Sequence, residues 1–391
     1  MKIYFDALSL KPTTSIGTQA YIISGLQIIS RKFPKAEFLL LSSDIEVDEH
    51  YLKQTNLNYK LIQRDKSKIG TWKQVRKILK QIDVVVSSWG DAYITDPPHR
   101  LFRKTLMLKK KNIPLILFTS SIGPFSGGLK KIMAVNGLRM FDFLTVRDAI
   151  TYEYFNSLKL KNVKLIHDSA FVLEPSPKEK VNEVLTKSGF KGDLYIGLNI
   201  SVLLYNKLKD FGRDYASEMA EFVMWLNNHF KLPVILIPHQ IFPTCYKFSP
   251  EQYISKGGDD RFAIDEIMKH ISDKSQIFPL MGEYSPMELK GIIKGSEIFI
   301  GGRMHSVIAA ISTATPAMIM QYSHKAGGMM KFLGLDEYLW DIKDTTLKLQ
   351  EKVDLLWNNR QKIRSKLNNE LPPIFEEIYG LVDLIPISNE K

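Results

Sequence analysis

The chain has 391 residues, 45% of them hydrophobic and 24% charged, with a formal net charge of +11. That length is too great for one compact core, so two domains are expected, and the composition is that of an ordinary globular protein. No apolar run approaches a membrane-spanning length, and one cysteine, Cys245, excludes an intrachain disulfide framework or a metal site built on several thiolates.

In chain order, residues 1–10 read as a first strand rather than a signal peptide, which favours the cytoplasm. Short apolar runs predict strands at 2–6, 37–41, 59–62, 84–86, 115–118, 143–146 and 163–166. Amphipathic stretches between them predict helices at 18–32, 72–81, 100–111, 129–139 and 149–158. A proline-rich, charged stretch at 174–180 reads as a linker. The alternation then restarts, with strands at 195–200, 234–237, 277–280, 297–300 and 317–320 and helices at 215–229, 263–272, 286–295 and 304–313. Residues 347–379 form a long charged amphipathic pattern interrupted by Pro372-Pro373. The expected fold class is α/β, with two Rossmann-like doubly wound domains facing a cleft. The expected boundaries are 1–176, 177–346 and a helical segment at 347–391 that packs back across the domains. Such a pair resembles the GT-B architecture of many sugar-transferring enzymes, though architecture alone does not set a reaction.

The segment 297–325 is the most informative. Gly301-Gly302 breaks an apolar run, a short helical pattern follows, and Pro316 ends it before the next run. A strand-helix-strand unit this short implies parallel strands with a right-handed crossover. Arg303, His305 and Lys325 then lie past neighbouring strand tips, at the sheet edge where ligands bind. With a helix N-terminus beside them, they suit a small, multiply charged anion and a proton donor. The alternatives are a helix-capping His305, an Arg303 paired with Glu297 or Glu283, and an exposed loop Lys325. Residues two apart do not share a helix face, so Arg303 and His305 converge only if one sits in the non-helical entry turn.

Other candidates follow predicted strands. His239 ends the run 235–239, and Asn199 ends another. Ser121 lies in a polar turn, 119–125. Arg147 reaches a ligand or pairs with Asp168. Asp91 and Asp96 meet an acceptor hydroxyl or serve as turn residues. Gln19 ends Gly17-Thr-Gln19, where nucleotide-binding folds place a phosphate loop, but neither a dinucleotide fingerprint nor a Walker sequence is present. No metal-ligand motif stands out, so no metal is expected. The basic charge is compatible with nucleic acid, anionic membrane or anionic substrate. No nucleic-acid-binding motif accompanies it, so nucleic acid is not an expected partner; the charge reads first as the solvated faces of helices and next as weak attraction to an anionic inner leaflet.

Four pieces together resemble the polysaccharide pyruvyltransferase family. They are Ser121-Ile-Gly-Pro-Phe125, the block 141–148, His167-Asp-Ser-Ala-Phe171, and Gly302-Arg-Met-His305 with Pro316, Tyr322-Ser-His-Lys325 and Gly334. The resemblance implies ketal formation on a sugar of a surface polysaccharide or its lipid-linked precursor. Phosphoenolpyruvate would be the donor and co-substrate, with no cofactor. It further implies His305 as general acid, with Arg303, Lys325, Arg147, His239 and Gly302 around the donor. Ser121, Asp91 and Gln19 would lie on the acceptor side, in the first domain. The chain departs from the family at Ser15-Ile-Gly-Thr-Gln19, where an Asn-x-Gly-Asp-like turn is common, and at Ser87-Ser-Trp-Gly90, where glycines are common. The alternatives are a glycosyltransferase using a nucleotide-sugar donor and a non-catalytic binding protein at a membrane face.

Overall fold

The computed structural model describes residues 1–7, 15–95, 97–125, 127–243, 249–254, 258–321 and 324–385. Asp96, Cys245, Tyr322 and Ser323 lie outside the described residues, and so do the side chains of His324 and Lys325. The chain divides into two compact units. The first comprises Met1–Lys11, Tyr21–Leu173 and Pro373–Lys391, and the second Pro12–Ala20 and Glu174–Pro372.

The first unit follows β1 (Lys2–Ala7), α1 (Ile16–Lys32), β2 (Glu37–Ser42), α2 (Ile45–Leu52), β3 (Tyr59–Gln63), α3 (Lys68–Ile78) and β4 (Val84–Ser88). It continues through α4 (Ala92–Thr95), α5 (Pro98–Leu108), β5 (Leu115–Ser120), α6 (Leu129–Leu138), β6 (Phe143–Val146), α7 (Ala149–Ser157) and β7 (Val163–Leu165). The sheet order is β3-β2-β1-β4-β5-β6-β7, and every pairing is parallel. All residues of β4 and β5 are buried. Helices cover both faces of such a sheet, so continuous apolar runs serve better than alternation. The strand order reverses between β1 and β4, which places the ligand crevice of this unit at their C-terminal tips.

The second unit follows α8 (Lys178–Lys187), β8 (Ile196–Ile200), α9 (Val202–Asp210), α10 (Tyr215–Phe230), β9 (Val234–Pro238), α11 (Pro250–Ile254), α12 (Asp260–His270) and β10 (Ile277–Pro279). Next come α13 (Pro286–Lys294), β11 (Phe299–Gly301), α14 (Met304–Ile311), β12 (Ala317–Gln321), α15 (His324–Phe332), β13 (Leu339–Asp341) and α16 (Thr346–Tyr379). Its six parallel strands run β10-β9-β8-β11-β12-β13, and the order reverses between β8 and β11. Phe299 lies opposite both Gly197 and Ala317, so β11 is an interior strand. Ser285 and Glu288 form a reciprocal capping box that starts α13, with Pro286 in the first turn. The α/β class with two doubly wound units is thus as the alternation predicts.

The last helix differs from expectation. Pro372-Pro373 does not interrupt the last helix, which runs unbroken from Thr346 to Tyr379. Two prolines remove two backbone donors there. Burial of Leu371, Ile374 and Ile378 on either side supplies the compensating contacts.

Candidate active site

At the switch point of the second unit, three strand tips meet one buried carboxylate. Asp260 is fully buried in the first turn of α12. Its Oδ1 accepts from the Val202 backbone N–H at 2.9 Å and from Arg303 Nη2 at 2.6 Å. Its Oδ2 accepts from the His239 backbone N–H at 2.8 Å and from Arg303 Nε at 2.8 Å. The β8–α9 turn, the tip of β9 and the β11–α14 turn therefore share one acceptor. Burial pushes the Asp260 carboxyl up, while Arg303 and the two backbone donors pull the other way.

Local sequence explains the turn that carries Arg303. Gly301 ends β11, and Gly302 packs against the next turn. A Cβ on Gly302 would lie 2.9 Å from the Asn199 carbonyl oxygen and 3.0 Å from Ser201 Cβ. Glycine here permits close backbone approach. Arg303 is the N-cap of α14, extended at φ −132° and ψ 139°. It sits in the non-helical entry turn, while His305 lies inside the first helical turn. Asn199 ties the same turn down, donating to the Ile200 and Ile237 carbonyls and accepting from Ser306 Oγ at 3.1 Å.

His305 is half-buried. Facing it is the first turn of α1, which belongs to this same compact unit. A Cβ on Gly17 would fall 2.4 Å from His305 Cγ and Nδ1, so only glycine leaves room for the ring. Two residues on, Gln19 is fully buried and its side-chain amide has no hydrogen-bond partner among the described residues. His239 is buried at the tip of β9. Burial first, then the charges of His305 and Arg303, holds its imidazole well below the ordinary 6.5, so it is neutral at physiological pH. Lys325 lies in the first turn of α15, after β12, the neighbour of β11. Tyr215 is buried close enough to Asp260 and Arg303 to feel both charges, and burial raises its phenol.

The first unit gathers a separate set. Arg147 Nη1 donates to Asp168 Oδ2 at 2.5 Å, and Arg147 Nε donates to Ser121 Oγ at 3.2 Å. The guanidinium lies 5.5 Å from the centre of the Tyr21 ring. Burial works against its charge, and the carboxylates of Asp168 and Asp91 outweigh burial and hold the guanidinium above its ordinary value. The open alternative at Arg147 therefore resolves as an ion pair with Asp168. Ser121 also donates its backbone N–H to the Gly90 carbonyl at 2.8 Å, beside exposed Asp91. At the switch point, buried Asp6 accepts from Trp89 Nε1 at 2.6 Å and Ser87 Oγ at 3.1 Å, and pairs with Lys104 at 3.0 Å.

Arg303, His305, His239 and Gly302 thus share one strand edge with the helix that carries Lys325, while Arg147, Ser121 and Asp91 share another. The partner of Arg303 is neither Glu297 nor Glu283 but Asp260, which sequence reasoning missed. The only signal was an acid pair, Asp259-Asp260, ahead of a helical pattern. Among the described residues no group of three or more His, Cys, Asp or Glu is placed to hold a metal ion.

The two sheets define a doubly wound, two-unit α/β protein of the GT-B-like class. UDP-GlcNAc 2-epimerase from Methanocaldococcus jannaschii matches with a TM-score of 0.61 at 14% identity, covering 92% of this chain and 93% of that one. The ADP-heptose lps heptosyltransferase II of E. coli matches with a TM-score of 0.51 at 13% identity, covering 92% of this chain and 100% of that one. At such identities the likeness is one of fold. The sequence is more specific: the polysaccharide pyruvyl transferase family model matches residues 17–324, and the chain belongs to that family. It is 24% identical over 342 residues to the amylovoran biosynthesis protein AmsJ of Erwinia amylovora, covering 81% of this chain and 80% of that protein. The match begins at Gly17, includes Arg303 and His305, and stops one residue short of Lys325.

Proposed function

We propose that the chain transfers the pyruvyl group of phosphoenolpyruvate to a sugar of a surface polysaccharide or its lipid-linked precursor, forming a ketal. His305 protonates the methylene carbon of the enol. C2 becomes electrophilic, and one sugar hydroxyl adds to it and loses its proton. Phosphate then leaves, and a second hydroxyl adds and loses its proton; one of the two released protons restores His305 and the other is taken up by the departing phosphate. The donor carries a carboxylate and a phosphate. Arg303 fixed by Asp260, Lys325 in α15 and the N-terminus of α14 supply the positive side of that contact. Neutral His239 and the close turn at Gly302 complete it. Ser121 and Asp91, in the first unit, are assigned to the acceptor. The reaction as written needs neither metal nor nucleotide. With a lipid-linked acceptor, the working location is the inner face of the cytoplasmic membrane.

The observation that carries this reading is the β11–α14 turn within the family match. It sets an extended Arg303 and a half-buried His305 beside an imidazole too deeply buried to hold a proton. Phosphate release from phosphoenolpyruvate with a glycan panel tests it. His305→Ala should lower turnover about 10²–10⁴-fold, the usual contribution of a positioned acid, at unchanged melting temperature. Undiminished transfer by that variant removes His305 from the mechanism. Thermal shift by a UDP- or GDP-sugar and none by phosphoenolpyruvate would point instead to a glycosyltransferase.

A further inference from the structure

Three helices of the first unit lie side by side. Gly137 of α6 meets the backbone of Phe102 in α5 so closely that a Cβ there would sit 2.9 Å from Phe102 Cα. Arg76 of α3 reaches the Leu106 carbonyl of α5, and Lys110, just past α5, donates to the Leu79 carbonyl at 2.8 Å. Inward positions such as Val75, Leu101 and Ala134 join one apolar core. The outward positions combine two chemistries. Ile69 is 72% exposed, Leu106 42%, Leu129 72% and Ile132 57%. Every charged residue within the three helices is Lys or Arg; none is Asp or Glu. Helical spacing sets these on the open faces, with Ile69, Lys73 and Arg76 on α3, and Arg100, Arg103 and Leu106 on α5. Lys104 of α5 pairs with buried Asp6 at 3.0 Å. Asp142 is held by Lys109 at 2.8 Å, and Asp65 is occupied by the turn that starts α3.

We propose that the outward face of α3, α5 and α6 docks the protein on an anionic lipid bilayer. Exposed aliphatic side chains interleaved with positive charge match the interface of a membrane, where the first enter the acyl boundary and the second meet headgroups. Nucleic acid would leave the aliphatic side chains in water. A second copy of the same face would set like charges against each other. No helix among the described residues is long and apolar enough to cross a membrane, so the contact is peripheral. The surface belongs to the first unit and stands whether or not the proposed reaction does.

Co-sedimentation with vesicles tests it. The full chain should pellet with phosphatidylcholine vesicles containing about one-third phosphatidylglycerol, pellet weakly with phosphatidylcholine alone, and be released by added salt. Lys73→Gln/Lys77→Gln/Arg103→Gln should weaken partitioning about a hundredfold. Leu129→Ser/Ile132→Ser should weaken it as well, without lowering the melting temperature. Lys269→Gln/Lys348→Gln/Lys352→Gln in the second unit removes the same charge and should change it little. Equal losses for the two charge-neutralised variants, or no preference for anionic vesicles, would overturn the proposal. So would tighter binding to RNA that survives the Leu129/Ile132 change, or dimerisation lost with it.

Discussion

Replacing Asp260 by Asn tests the organisation of the second unit's sheet edge. The wild-type carboxylate accepts four hydrogen bonds, two from Arg303 and one each from Val202 and His239. The amide keeps the shape, removes the charge and turns one acceptor into a donor. Arg303 is then left buried without its counter-charge, a loss of about 3–5 kcal/mol when one partner of a buried pair is removed. The new amide donor also faces a backbone N–H, at a further cost of about 1–3 kcal/mol. The sum is a large share of a typical domain's stability, about 5–15 kcal/mol. Urea unfolding of Asp260→Asn, Arg303→Met and the double variant provides the measurement. With both partners gone no buried charge is stranded, so the double variant should be less destabilised than the two singles added, by about 2 kcal/mol or more. Strict additivity, or a loss below about 1 kcal/mol for Asp260→Asn, would refute the view that this carboxylate ties three turns together.

Three further outcomes are expected. Gly17→Ala must move the His305 ring, since the added Cβ would sit 2.4 Å from Cγ. Helix propensity favours alanine by about 1 kcal/mol, so the variant should stay folded while turnover falls at least tenfold; full activity would place the ring's working position elsewhere. His239 has its folded value well below 6.5, so below that pH the unfolded chain binds a proton that the folded chain does not. Its contribution to stability is complete above pH 6.5 and drains as pH falls, with a slope of up to about 1.4 kcal/mol per pH unit, which His239→Asn should flatten in unfolding titrations. Lys290 is buried in α13, and burial, then Lys294, pulls its ammonium down to about 7. Its folded value is depressed, so stability should rise as pH climbs from about 7 towards 10.5, and Lys290→Met should flatten that rise and stabilise the protein at pH 7 by about 2–4 kcal/mol.

The legible parts of the fold were those with local punctuation. Gly301-Gly302 and Pro316 bracket α14, and apolar runs flank it, so the β11–α14–β12 unit follows from spacing alone. Other elements hid behind composition. In α8, two prolines and a run of charge read as linker, yet Pro177 is the N-cap and its fixed φ suits that position. In α15, Gly327-Gly328 lowered the helical signal, and β13 is three residues long, too short to show a period. The partner of Arg303 was illegible for a different reason. Asp260 precedes it by 43 residues, and Glu297 and Glu283 lie nearer in sequence. Only the strand order β9-β8-β11 brings the start of α12 over the tip of β11. Side-chain pairing across a parallel sheet is set by such long crossovers, which local pattern does not reach. The same holds for Gly17 and His305, which lie at opposite ends of the family match.

Two imidazoles share the second unit's edge, and their surroundings divide the work between them. His239 is buried, and its backbone N–H is fixed on Asp260. Its ring is neutral at physiological pH, so it has no proton to give to an enol carbon. His305 is half-buried, in the first turn of α14, where a bound anion would meet both the ring and the helix N-terminus. Arg303 beside it is held by Asp260. The pH–rate profiles of wild type and His239→Asn should share the limb on which activity falls as the acid deprotonates, and only His305 variants should lose it. A profile in which that limb disappears with His239 would reverse the assignment, because a buried neutral ring would then be supplying the proton.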